Sequence, residues 1–313
     1  MRTLVLILML SALGCGRVPK PLKPGEVDPW EGRGRECVRP FVARDSPYAE
    51  REEGDGDLAL LASVPPEAAR TMRAAGLSAL VSRALGKRGG PLTLDKLALR
   101  QDLSLRLISL ETQLSAVIFE AECTGELIES MQLELEDRAD LHELRMAVAS
   151  LVVGAAAATA AGTWDLIHGG SNGPAVLGLT GGVVGAGLGA AAFVKQTVRM
   201  RYAHDHNLLA PVEEGIDRAE LYPRFVFRLL TTPGVDGRAP RDRLLTRWRE
   251  LIEELPIEER GDAERMLYGA GGVYDLQRMS LRERMYDALE SELNAQARDL
   301  ELLDRFLVRA LEG

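Results

Sequence analysis

Residues 103–135, LSLRLISLETQLSAVIFEAECTGELIESMQLEL, carry the periodicity that decides the fold. Leu103, Leu107, Leu110, Leu114, Val117, Ala121, Thr124, Ile128, Met131 and Leu135 follow one another in alternating steps of four and three. That spacing brings every one of them to the same seam of a helix. Glu and Arg fill the other faces. Leu105, Ile108, Ile118 and Leu133 widen the stripe, which predicts burial in a multi-helix bundle rather than a bare two-stranded coil. No proline occurs between Leu92 and Pro174, so a helix beginning near Thr93 can run for about 70 residues, roughly 105 Å at the α-helical rise.

The seam leads directly into two uncharged stretches, AVASLVVGAAAATAAGTW (147–164) and PAVLGLTGGVVGAGLGAAAFV (174–194). Between them lies a polar tip with Gly169, Gly170, Asn172, Gly173 and Pro174, residues that break helices and favour turns. Each stretch is close to the length that crosses a bilayer, and together they predict an apolar helical hairpin over 146–194. Gly154, Ala158 and Gly162 in the first arm, and Gly181, Gly185 and Gly189 with Gly178 in the second, recur at spacings that let two helix backbones approach closely. Such grooves occur where helices pack inside membranes, and the alternative is a close-packed hairpin buried in a soluble bundle.

Composition agrees with an all-α chain. Of 313 residues only 5% are aromatic, while Leu, Ala, Arg and Glu abound, and the expectation is almost no sheet. The charge of −9, from 47 acidic against 38 basic residues, gives no footprint for nucleic acid. The expected fold is an elongated helical bundle or coiled coil with a central Gly/Ala-rich apolar hairpin.

The N-terminus has a short positive region at Arg2, an apolar stretch from Leu4 to Leu13, and the ending Ala12-Leu13-Gly14-Cys15. This is the layout of a secretory signal peptide, too short to span a bilayer. The ending resembles the lipobox of bacterial lipoproteins. The resemblance covers only the first fifteen residues or so, and alanine stands three before the cysteine where leucine is commoner. It implies cleavage before Cys15, lipidation of that residue, and a place in the cell envelope, at the outer membrane or the periplasmic face of the inner membrane. Export would leave Cys37 and Cys123 in a compartment that permits disulfides. A bridge between them would pin the N-terminal segment to the long helix and add about 4 kcal/mol in the chain-entropy model; two unpaired thiols are the other reading.

The remaining organisation follows from punctuation. Residues 1–14 read as signal peptide and 15–57, rich in proline, glycine and charge, as a flexible tether. Residues 58–145 read as N-terminal helices, one from Pro65-Pro66 through about Leu85, followed by the long heptad helix. After the hairpin, residues 195–313 form a C-terminal helical region, in which a helix continues to about Leu209 and Pro211 ends it. Shorter helices are expected over 215–231, 240–255 and 258–270. The last helix is expected to start at the capping box Ser280–Glu283, with a seam of Tyr286, Leu289, Leu293, Gln296, Leu300, Leu303 and Leu307, where Gln296 would set the register.

Catalytic chemistry is nearly silent. The Walker, H-E-x-x-H and C-x-x-C patterns are missing, and we expect no catalytic residue, no metal and no cofactor. His204-Asp205-His206 is the single cluster with a metal flavour, but residues i and i+2 point to different sides of a helix, and a solvated helix end is the simpler account. Gly185, Gly187 and Ala190 fit a dinucleotide fingerprint with Asp205 beyond, yet the strands of a parallel sheet are wanting. The expected function is a structural or interaction lipoprotein whose partners are membrane lipid and protein, or further copies of itself, with no nucleic acid and no small-molecule substrate. The second is pore formation, since an apolar hairpin in a helical bundle resembles the α-helical pore-forming toxins in plan. The Lys195, Arg199 and Arg201 cluster at the hairpin mouth conflicts with an exported hairpin under the positive-inside bias, unless insertion follows export.

Overall fold

The computed structural model describes residues 37, 57–89, 91, 93–168 and 198–312, and they form two compact units. The fold is all-α: α1 (Leu58–Leu61), α2 (Pro66–Ala74), α3 (Ser78–Gly86), α4 (Leu94–His168), α5 (Leu209–Glu214), α6 (Arg224–Thr231), α7 (Pro240–Glu253), α8 (Ile257–Tyr268) and α9 (Leu276–Glu312). Two four-residue strands, β1 (Met200–Ala203) and β2 (Gly271–Tyr274), pair with each other.

The larger unit is built around the first part of α4 and nearly all of α9. The expected α4 seam is buried at every position from Leu103 to Ile128, including Thr124. The α9 seam of Tyr286, Leu289, Leu293, Gln296, Leu300, Leu303 and Leu307 is buried throughout. Around these helices α7 packs on α5, α6 and α8, α5 on α8, α2 on α6, and α1 on α3. Trp248 of α7 is fully buried and its indole Nε1 donates to the carbonyl of Met285 at 3.1 Å. The Tyr222 hydroxyl donates to the carbonyl of Leu208 at 2.7 Å. Each buried aromatic thus satisfies its polar end, as interior Trp and Tyr must.

Gln296 is almost wholly buried, and the structure explains how a core tolerates it. Its side-chain oxygen accepts from Arg70, and its Nε2 donates to Glu292 at 2.7 Å. Arg70 also donates to the Leu229 carbonyl at 3.0 Å and pairs with Asp299 at 2.8 Å. One guanidinium therefore joins α2, α6 and α9.

Several boundaries differ from the sequence expectation. The helix expected from Pro65 to Leu85 is two helices, because Gly76 adopts φ 66° and the Gly76 and Leu77 amides bond back to Arg73 and Met72. This is a Schellman stop, and the glycine is its left-handed residue. The helix expected to reach Leu209 is replaced by β1 and a loop, and Pro211 lies in the first turn of α5 rather than past the end of a helix, where a missing amide costs nothing. The helix expected over 215–231 is confined to α6. Gly271 is within β2; at φ 92°, a Cβ there would stand 2.2 Å from the Tyr202 carbonyl oxygen, so only glycine allows the pairing. α9 begins at Leu276, one turn before the expected capping box, so Ser280 and Glu283 are interior to it. Ile108 is exposed and does not widen the buried stripe.

In the smaller unit, Met131 and Leu135 of α4 are buried, whereas Leu133 is exposed. Further along the helix Leu141, Leu144, Val148 and Val152 are exposed at 52%, 61%, 52% and 62%. Their spacing places them along one side of α4. The second arm of the hairpin lies outside the described residues, as do the side chains of the first arm beyond Val152. Among the described residues no helix is long and apolar enough to cross a membrane.

Arg70→Ala is expected to lower unfolding free energy by about 2–4 kcal/mol, because it strands the buried Gln296 oxygen and the Leu229 carbonyl together. Urea denaturation of the parent and of the exposed control Arg73→Ala, expected within about 0.5 kcal/mol of the parent, provides the measurement.

Candidate functional site

The densest polar arrangement in the larger unit surrounds Arg282, which sits in the first turns of α9 and is 0% exposed. Nη1 donates to the Leu267 carbonyl at 2.8 Å, and Nη2 donates to Asn207 Oδ1 at 3.1 Å and the Tyr286 hydroxyl at 3.4 Å. The guanidinium carbon also lies 5.8 Å from the Tyr202 ring centroid and 5.1 Å from that of Tyr286. Nε has no hydrogen-bond partner, and no ion pair joins Arg282 to a carboxylate among the described residues. Two aromatic faces and three oxygen acceptors hold the charge instead.

Asn207 ties this cation to the end of α8. Its Nδ2 donates to the Leu267 carbonyl at 3.0 Å and to the Gly269 carbonyl at 3.1 Å, and its Oδ1 accepts from the Leu209 amide at 3.3 Å as well as from Arg282. His204 Nδ1 donates to the same Gly269 carbonyl at 2.9 Å. Burial, and then the nearby charge of Arg282, push the His204 imidazole down to about 2, with the Gly269 carbonyl pulling the other way. An imidazole held down in this way is neutral at physiological pH. Burial raises the Tyr202 phenol against the opposing effect of Arg282.

His206, two residues on, turns to a different partner, the buried carboxylate of Glu120 on α4. The chain at 204–206 is therefore a loop after β1 and not the solvated helix end expected from sequence. Its two histidines fasten it to α8 and α4 separately. Among the described residues no group of three His, Cys, Asp or Glu side chains could hold a metal ion. Chemically this arrangement fixes elements in place: it offers hydrogen bonds and a buried charge, with no nucleophile beside a base.

A second feature is an open groove of about 760 Å³ lined by Glu111, Asp287, Glu290, Ser291, Asn294, Ala297, Arg298 and Glu301. Beside it α4 and α9 approach where Gly125 stands against Asp287, a Cβ there meeting Oδ1 at 4.0 Å. Burial, then Glu283 and Glu129, raise the Asp287 carboxyl. Burial, then Glu122 and Asp287, raise that of Glu290. The groove is an acidic face.

Of the residues singled out in the sequence, Cys37 and Cys123 are joined in a disulfide with a Cα separation of 5.5 Å. Cys15 lies outside the described residues, as do Gly178, Gly181, Gly185 and Gly189. The backbone of α4 is helical through Gly154, Ala158 and Gly162. The dinucleotide reading fails on Asp205: β1 pairs with β2 alone in a two-stranded sheet, and no parallel sheet surrounds it among the described residues. The reading of the sequence missed Arg282 and Asn207. Arg282 was detectable in principle, since one further step of four back along the α9 seam from Tyr286 falls on it.

A lowered imidazole has a definite sign for stability. The unfolded chain takes up a proton near pH 6.5 that folded His204 refuses, so stability is lost as pH falls from about 6.5 toward the folded value. His204→Gln is expected to flatten the fall of the urea midpoint between pH 7 and 5, and an unchanged slope would refute this assignment. No known protein family matches the chain, and neither a curated protein nor a solved structure is similar to it.

Proposed function

We propose that the chain is an exported lipoprotein of the bacterial cell envelope, held by lipid on Cys15, whose helical body presents surfaces to protein partners or to further copies of itself. The observation that supports it is the Cys37–Cys123 disulfide. Structural disulfides belong to oxidising compartments, and this one agrees with a signal peptide read from a different part of the chain. The acidic groove and the arginine-centred fastening fit an interaction body better than an enzyme.

The hairpin supplies the second element of the proposal. The exposed stripe of Leu141, Leu144, Val148 and Val152 leads along α4 toward the uncharged arms. Asp137, Arg138 and Asp140 precede it in the sequence and Glu143 and Arg145 fall between its first members, and charges at that density are costly in hydrocarbon. We assign membrane association to the arms themselves and a protein-facing role to the lower stripe. The same stripe favours one alternative, a bundle that perturbs membranes by inserting the hairpin.

Palmitate incorporation is expected in the parent and abolished in Cys15→Ala; incorporation in the variant would end the lipoprotein reading. Carbonate-resistant membrane association of Cys15→Ala, lost when residues 146–194 are also deleted, is the expected result for an anchoring hairpin. For the alternative, the protein lacking residues 1–15 should release dye from liposomes at micromolar concentration, with release suppressed by Gly185→Leu. No release rules it out.

A further inference from the structure

We propose that α4 and α9 form a docking surface for an amphipathic helix of another protein, whose apolar side lies along α4 and whose lysines or arginines enter the acidic groove. It rests on the interaction reading of the body and names the partner's chemistry, and it does not depend on lipid at Cys15. All of its residues belong to the larger unit.

α4 carries a second apolar row besides its buried seam. Leu97, Ile108 and Phe119 follow one another at intervals of 11 residues, just over three helical turns, so they stand in line along one side of the helix. They are 51%, 58% and 38% exposed, while the seam from Leu103 to Ile128 is closed to solvent. Glu111 and Glu122 stand three residues beyond Ile108 and Phe119, which makes each acid the surface neighbour of an apolar side chain. An apolar row and an acidic row therefore run side by side. Across the groove α9 supplies the other wall with Asp287, Glu290 and Glu301. Between the walls lie small residues, Gly125 of α4 and Ser291 and Ala297 of α9, which leave depth for long side chains. From Asp287 to Glu301 the wall runs about 21 Å at the α-helical rise, the length of about four turns of a docked helix.

Charge selects the occupant. From Leu107 through Glu129, α4 holds Glu111, Glu120, Glu122, Glu126 and Glu129 and neither Lys nor Arg. A second copy of α4 laid on this face, in either direction, would set glutamates against glutamates, which an interface disfavours. Phosphate-bearing surfaces are repelled for the same reason. The carboxylates also fail to converge on a point: among the described residues no group of three could hold a metal ion. Arg298 is the one basic residue of the lining, and Arg305 pairs with Glu301 at one end of the groove. What remains unmatched is a line of separated carboxylates, and it calls for several cationic side chains held on one scaffold. The exposed row beside them calls for apolar side chains on the same scaffold. A helix with leucine-like residues at i, i+4 and i+7 and lysines or arginines alongside supplies both.

The test titrates a labelled model helix, with leucines along one side and lysines beside them, with the full chain in a non-ionic detergent and follows fluorescence anisotropy. Saturable binding in the micromolar range is expected. Ile108→Ser and Glu111→Lys/Glu122→Lys should each weaken it about tenfold, with helicity by circular dichroism unchanged because these side chains are exposed. Glu258→Lys/Glu264→Lys, which alters exposed acids of α8, should leave binding as it is. A peptide with glutamates in place of the lysines should not bind. Should the α4 charge variant lose helicity, Asp287→Lys/Glu301→Lys puts the same question from α9. Absence of binding at micromolar concentrations overturns the inference, and so does equal weakening by the α8 variant. A dimer in sedimentation velocity that Ile108→Ser dissociates also overturns it, by making a second copy the occupant, and leaves the interaction reading of the body standing.

Discussion

A helix of 75 residues owes little of its stability to backbone propensity, and α4 depends on burying one continuous side. The seam from Leu103 to Ile128 is closed to solvent at each step, and α9 offers a second seam of the same period from Tyr286 to Leu307. The shorter helices exist in this context. Helices such as α6 and α8 are too short to persist alone, and it is the burial of Phe225, Val226, Leu229, Ala263 and Leu267 that keeps them folded. Burial is non-directional, however. Two apolar seams can slide past each other by a turn at little cost, and polar contacts are what select one register.

Two buried arginines perform that selection in different ways. Arg70 is satisfied conventionally, with a carboxylate, an amide oxygen and a backbone carbonyl drawn from α6 and α9. Arg282 has no carboxylate partner among the described residues and relies on carbonyl, amide and hydroxyl oxygens and two tyrosine rings. Because a buried cation is costly wherever its partners are displaced, each arginine penalises any packing that moves its neighbours. Asn207 extends the second network to the end of α8, and its neighbour His206 reaches Glu120 on α4. The loop after β1 is thereby held by hydrogen bonds to three helices, with little apolar surface of its own.

The disulfide acts at a further level, between the folded body and the chain that precedes it. Its attachment one turn from Glu120 means that covalent and hydrogen-bonded fastenings converge on the same part of α4. The acidic groove beside Gly125 lies on the same helix. Burial first, and then neighbouring carboxylates, raise the carboxyls of Asp287 and Glu290 there, and the groove is an acidic face of the body.

Periodicity determined the helical class, the identity of both seams and the polar register position at Gln296, because side-chain burial on a helix repeats every 3.6 residues whatever it packs against. The ending Ala12-Leu13-Gly14-Cys15, with its resemblance to a lipobox, and the uncharged stretches are likewise properties of the chain alone. Tertiary structure decided the rest. Gly76 could be an interior residue or a stop, and only the bonds back from Gly76 and Leu77 choose. Residues 200–203 have no strand pattern long enough to announce itself, and β1 exists because β2, some seventy residues away, supplies its partner. Arg282 looked like a charge in a capping box until helix α9 began a turn earlier and carried it inside. In each case the deciding contact lies far away in sequence, where local propensity has no information.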